Sequence, residues 1–304
     1  IHTVDWTTAI IAHPTTVAAM RANWFGLLGE GFARRFGRLT SSVLLHGIPG
    51  SPTNHHGIPY ALTEEFVAVY RMHPLIPDTF TFRSAVDDSV LSEHELPDLT
   101  VQNVRARLTE TSMTDLLYSF GRANPGALNL HNYPHHLQHL QHTDGGFLDL
   151  ATIDLIRSRE RGVPRYNEFR RLFRLRPAAS FEELTGERTL AAELREVYDD
   201  IEAVDLMIGL YAEPKPPGFG FSDTAFRVFI LMASRRLESD RFFTDSFRRE
   251  IYTEVGMAWI RDNNMRTVLL RHFRELGPAL EGVRNPFTPW NPVGAASPRE
   301  ATAR

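Results

Sequence analysis

A phenol and an imidazole three residues apart are the side chains here best suited to chemistry. They are Tyr70 and His73, in the stretch Thr63-Glu-Glu-Phe-Val-Ala-Val-Tyr70-Arg-Met-His73-Pro74. Thr63 suits a helix N-cap, and Glu64 and Glu65 sit where the helix dipole favours negative charge. Phe66, Tyr70 and His73 then fall at i, i+4 and i+7, on one helical face. Pro74 disfavours helical geometry at His73, so the helix is expected to end or kink there. A neutral imidazole can ligate a metal centre, haem iron included. A phenol one turn away could give an electron and a proton to an oxidised centre. The plainer alternative is a buried tyrosine and a satisfied core histidine at a helix end, and spacing alone favours it.

Other candidate clusters carry less. Residues 131–142 hold five histidines, His131, His135, His136, His139 and His142, at helical spacings that a metal site could use. No Asp, Glu or Cys lies within that run, so a solvated polar helix is the better reading. His55-His56 sits in a Gly/Pro/Ser-rich loop with no partner carboxylate. Arg235 and Arg236 could pair with Glu238 and Asp240 on a helix surface, or could together hold an anion.

The wording of several blocks says more than their spacing. Glu65-Phe66 followed by Val69-Tyr70-Arg-Met-His73-Pro-Leu-Ile-Pro-Asp78 resembles the proximal helix of the peroxidase–cyclooxygenase superfamily, the animal haem peroxidases, and in particular the fatty-acid α-dioxygenases. Arg157-Ser-Arg-Glu-Arg-Gly-Val-Pro-Arg-Tyr-Asn167-Glu-Phe-Arg170-Arg171 resembles a second hallmark, and Ala233-Ser-Arg-Arg236-Leu-Glu-Ser-Asp-Arg-Phe-Phe243 a third. The opening His2-Thr-x-Asp-Trp-Thr7, with Met20 to Gly29, is also similar to an α-dioxygenase.

The resemblance implies His73 as the axial ligand of haem b and Tyr70 as the site of a catalytic radical. It implies that Asn167 accepts a hydrogen bond from the proximal imidazole and that Arg170 reaches a haem propionate. His2, Thr7 and Arg236 would grip a fatty-acid carboxylate. The implied reaction adds O2 at C2 of a fatty acid, with hydrogen peroxide as activator, to give a 2-hydroperoxy fatty acid. The alternatives are a haem peroxidase oxidising small donors and a non-catalytic haem- or lipid-binding remnant. One departure stands out. The superfamily carries a distal histidine well before the proximal helix, often with a calcium loop, and nothing in the 72 residues before His73 reads as that segment. Together with a start at Ile1, this suggests the C-terminal portion of a catalytic domain; calcium is expected only if an upstream portion exists.

The elements that must position these residues are mostly helical. Apolar periodicity predicts helices over Val104–Leu117, Leu150–Arg161, from Tyr166, over 180–199, over Val204–Glu213 and over Phe226–Leu237, with two more in 245–277. Residues 41–59 and Pro214–Phe221 read as loops, and 77–100 as a short strand pair or a connector. The expected fold class is mainly α, a haem peroxidase-like helical domain over 1–284 with long loops and little β. The Pro- and Ala-rich tail 285–304 is expected to be poorly ordered.

Composition sets the outer bounds. The 304 residues are 42% hydrophobic and 23% charged, ordinary for a globular chain with a sizeable core. A net charge of −4 gives no footing for nucleic acid. The absence of cysteine excludes disulfides, a thiolate nucleophile and iron–sulfur clusters. No apolar run approaches the roughly 18 residues of a membrane span, and no signal-peptide pattern opens the chain. A cytoplasmic or peripheral membrane setting follows as the expectation.

Overall fold

The computed structural model describes residues 63–100, 103–141, 145–217, 219–229 and 246–294. In chain order its main elements are α1 (Glu64–Tyr70), β1 (Thr79–Arg83), β2 (Val90–Glu95), α2 (Val104–Glu110), α3 (Met113–Arg122), α4 (His135–Gln138), β3 (Leu140–Gln141) and β4 (Phe147–Leu148). There follow α5 (Leu150–Glu160), α6 (Tyr166–Leu172), α7 (Phe181–Thr185), α8 (Arg188–Tyr198), α9 (Leu206–Ala212), α10 (223–229), α11 (Arg249–Asp262) and α12 (Met265–His272). The fold is the mainly helical one expected, with β confined among the described residues to two antiparallel pairs. By contacts the chain divides into two compact units.

One unit contains Pro77–Pro125 and the described part of Arg248–Arg304. The stretch read as a strand pair or a connector is a strand pair: β1 and β2 run antiparallel, with a register shift between Phe82 and Arg83. Ser112 caps α3 by accepting from Asp115 N. Helix α3 then ties to the hairpin, where Ser119 Oγ accepts from Arg83 N at 2.7 Å. Its core joins Tyr118, Leu269, Leu276, Leu280, Trp290 and Val293. The tail expected to be poorly ordered is therefore packed as far as residue 294: Trp290 N donates to Gly121 O, and Val293 N donates to Tyr118 Oη. Prolines prevented helix there but not burial. Gly121 is dictated by this packing, since a Cβ would lie 2.0 Å from the Trp290 ring.

The second unit contains the described parts of Arg21–Ile76 and Gly126–Phe247. Its core gathers Phe66, Val69, Tyr166, Phe169, Phe181, Leu184, Leu194, Leu206 and Leu210. Thr63 caps α1 as predicted, accepting from Phe66 N at 3.3 Å. Asp149 caps α5 and Ser180 caps α7, and α7 ends at Gly186 in the left-handed conformation. Helices α6 and α9 meet at Gly209, where a Cβ would lie 2.2 Å from the Tyr166 ring.

Candidate functional site

Helix α1 stops at Tyr70, three residues before the position expected from Pro74. Met72 N donates back to Tyr70 O, and His73 opens a separate 3-10 turn over His73–Leu75. Three distant contacts hold that break. The buried Tyr211 of α9 donates its hydroxyl to Arg71 O, taking a carbonyl the helix would otherwise use. Gly126 N donates to Leu75 O, and Asn132 Nδ2 donates to Pro74 O at 3.0 Å.

The two predicted residues end in different surroundings. Tyr70 is 61% exposed, with its ring against Phe66 at 5.5 Å. It is not the buried tyrosine of the plainer alternative. His73 turns inward at one edge. Its Nδ1 lies 3.2 Å from Tyr133 Oη and 3.8 Å from Asp154 Oδ2. Among the described residues its Nε2 makes no hydrogen bond.

Asp154 comes from α5 and is only 2% exposed. Arg71 Nε stands 2.9 Å from its Oδ1. Neither carboxylate oxygen nor Arg71 Nε makes a hydrogen bond of good geometry among the described residues. Helix α5 is held against α1 by Arg157, which donates to both oxygens of Glu64 at 3.0 and 3.1 Å. That pair holds the Glu64 carboxyl below its usual range.

Burial dominates the site's proton chemistry. It pushes the His73 imidazole below its ordinary value, with Asp154 pulling against the shift. It pushes the Asp154 carboxyl up, with Arg71 and then His73 opposing. It also raises the Tyr133 phenol, with Asp154 adding to the effect, so Tyr133 keeps its proton. A guanidinium stays charged at any working pH, so a neutral Asp154 would leave Arg71 without a counter-charge. The ion pair is therefore the state of this site, beside a neutral imidazole.

The other expected residues fall elsewhere. Asn167 does not meet His73: its Oδ1 accepts from Ala178 N, and its Nδ2 donates to Ala178 O and Glu202 Oε1, each at 2.9 Å. The reason is local, because Asn167 lies on the buried face of α6 and stitches that helix to the turns after it. Tyr133 and Asp154 face the imidazole instead. Arg170 donates to Arg176 O, Glu213 Oε1 and Thr224 Oγ1, so in this structure it answers the chain's own groups. His2, Thr7, Arg236, His55 and His56 lie outside the described residues. Of the histidine run, His135 and His136 occupy the short α4, and His131 pairs with Glu193 on the surface. Among the described residues no group of three His, Cys, Asp or Glu could hold a metal ion, and no helix is long and apolar enough to cross a membrane.

Residues 1–282 match the animal haem peroxidase family. The chain belongs to that family. It is 42% identical to alpha-dioxygenase PIOX of Oryza sativa subsp. japonica over 306 residues, covering 96% of this chain and 50% of that protein. It is 40% identical to alpha-dioxygenase 1 of Arabidopsis thaliana over 307 residues, covering 96% and 48%. Its fold is similar to a crystal structure of the Oryza sativa fatty acid alpha-dioxygenase, a tyrosine-to-phenylalanine variant with palmitic acid. The TM-score is 0.75 at 40% identity, over 96% of this chain and 50% of that one. The chain spans about half the length of the curated relatives it matches.

Membership of a haem peroxidase family makes haem the cofactor whose fit matters. The residues present fit that group: His73 would hold it through Nε2, which makes no hydrogen bond among the described residues, with the Tyr133 phenol and the buried Asp154 carboxylate near Nδ1. Tyr133 and Asp154 were missed by sequence reasoning. Asp154 was hidden because α5 is inside out: Ile153 and Ile156 are exposed while the aspartate between them is buried.

Proposed function

We propose that the protein containing this chain is a haem-dependent fatty-acid α-dioxygenase. The observation that carries this reading is the end of α1. An exposed phenol at Tyr70 and an imidazole at His73, with a buried ion pair behind Nδ1, stand three residues apart in a chain about 40% identical to alpha-dioxygenases. Haem b, when bound through His73, would supply the oxidising equivalent that takes one electron from a phenol.

The chain's own part is the following. Tyr70 loses an electron and a proton to become a phenoxyl radical. The phenoxyl oxygen takes a hydrogen atom from C2 of the fatty acid, restoring the phenol and leaving a carbon radical. O2 adds to C2, and the resulting peroxyl takes a hydrogen atom back from Tyr70. The product is a 2-hydroperoxy fatty acid, and the radical returns to Tyr70. Each turnover consumes one fatty acid and one O2; hydrogen peroxide is needed only to start.

Attack at C2 requires the carboxylate to be held near Tyr70. His2, Thr7 and Arg236 are the proposed grip, with Arg236 giving the bidentate geometry that suits a carboxylate. Calcium enters only with an upstream segment that supplies its ligands. Among the alternatives, a peroxidase working on small donors needs no exposed phenol beside its ligand, and the 61% exposure of Tyr70 favours the oxygenase.

The test is fatty-acid-dependent O2 uptake by the full-length protein and its Tyr70→Phe variant. Uptake by the unmutated protein, lost in the variant while haem and some peroxidase activity towards small phenols remain, is the expected result. Uptake that survives in Tyr70→Phe would move the peroxidase reading ahead. Equal use of fatty acids and their methyl esters would remove the carboxylate grip.

A further inference from the structure

We propose that the free edge of β1 is a docking groove that takes an extended acidic peptide as a third strand. The groove lies within the unit containing Pro77–Pro125 and is independent of the haem reading.

The pairing of β1 fixes which of its main-chain groups are free. Leu96 N donates to Asp78 O at 2.8 Å, and Phe80 and Phe82 stand opposite His94 and Ser92. Antiparallel bonding alternates along a strand. Asp78, Phe80 and Phe82 therefore direct their main-chain groups to β2, while Thr79, Thr81 and Arg83 turn theirs outward. Arg83 N already has a partner on that side, Ser119 Oγ of α3 at 2.7 Å. Beyond β2, no described residue bonds the main-chain groups of Thr79 or Thr81. An open strand edge of this kind is a template for another strand.

The edge opens into a groove of about 480 Å³ between β1 and the end of α3. Thr79, Phe80, Thr81, Arg83, Phe120 and Arg122 are among the residues that line it. Phe80 is partly buried and Phe120 is 54% exposed, so both can pack alternate side chains of an added strand.

The two arginines say what that strand must carry. Both share Asp88, Arg83 at 3.8 Å and Arg122 at 3.5 Å. Arg83 Nη1 donates to Asp88 O, and Arg122 Nη1 donates to Trp290 O. Their Nη2 groups bond no described residue, and Arg122 Nε is buried without a hydrogen-bond partner among them. Two guanidiniums against one carboxylate leave a positive charge that a second carboxylate would balance. Glu93 and Glu95 belong to β2, on the paired side of β1. A fatty acid offers a carboxylate, but its alkyl chain would strip water from the free Thr79 and Thr81 groups and bond neither. A peptide strand supplies the carboxylate and the main-chain bonds together.

The test uses the full-length protein and a synthetic library of random hexapeptides with free carboxylates. Enriched sequences should combine acidic residues with alternating apolar ones. Arg83→Gln and Arg122→Gln should each weaken the best hexapeptide about tenfold, as for loss of a charged hydrogen bond. Unchanged affinity in both folded variants overturns the proposal. Should the variants fail to fold, two measurements on the unmutated protein decide. Methylating alternate peptide nitrogens should abolish binding in one register and spare it in the other. The peptide should also slow amide hydrogen exchange at Thr79 and Thr81. No enriched hexapeptide, equal effects in both registers, or unchanged exchange would each overturn the proposal. So would slow exchange before peptide is added, which would show the edge already paired within the protein. Dodecanoate that displaces the peptide without itself slowing exchange would assign the groove to fatty acids instead.

Discussion

Two of the segments that carry family wording are built in opposite ways. At the end of α1, Tyr70 is exposed, His73 has one edge unclaimed, and the Arg71–Asp154 pair lacks well-formed hydrogen bonds. In α6, Asn167 is 0% exposed and the Arg170 side chain is 12% exposed, and both are bonded into the chain around them. The first segment leaves polar groups unclaimed by the described residues. The second uses its capacity to hold loops and helices together. A motif residue can therefore mark the frame of a site as readily as its chemistry, and hydrogen-bond accounting tells the two apart.

The comparison is sharpest where it predicts the largest loss. Asn167→Ala strands the amide and carbonyl of Ala178, at a cost of about 1–3 kcal/mol for each buried group left unmatched. Chemical denaturation of the full-length protein should show a clear drop in midpoint. A stable variant that loses haem instead would return Asn167 to the imidazole and break the contrast.

The pH dependence should follow the α1 end. Burial holds the His73 imidazole below its ordinary value of 6.5. Between the folded value and 6.5 the unfolded chain binds the extra proton, so stability rises with pH across that window and is lost as pH falls through it. In the haem-free protein, denaturation midpoints measured from pH 7 to 5 should decline, and His73→Gln should flatten the slope. An identical slope in that variant would mean the group lies elsewhere.

Smaller effects separate surface from site. Arg157→Ala removes a partly exposed pair with Glu64, so the loss of stability should be small and should weaken with salt. A larger, salt-independent loss in the denaturation midpoint would show that the pair does more than clamp α5. Tyr70→Phe should change stability by less than about 0.5 kcal/mol, because the phenol is exposed and has no hydrogen-bond partner among the described residues. A larger change would mean that Tyr70 is a packing residue.

Much of the fold was legible because its signals are local. Thr63, Asp149 and Ser180 all cap the helices that follow them. The apolar period of Val204–Glu213 became α9, and the mainly helical class followed. The site was legible only in part. Tyr70 and His73 were readable as a pair, but the helix break between them depends on Tyr211, far along the chain. Asp154 escaped because burying a carboxylate between two exposed isoleucines defies the pattern used to orient a helix. The tail was misread as far as residue 294, because its prolines say nothing of what Trp290 and Val293 pack against.

Every step of the proposed chemistry depends on His73 as the ligand of haem iron. The direct test is the ferrous iron–imidazole band and haem content of the full-length protein beside His73→Gly. The band and most of the haem should be lost in the variant and return when imidazole is added to fill the space. A His73→Gly protein with unchanged haem content and an unchanged band would contradict it.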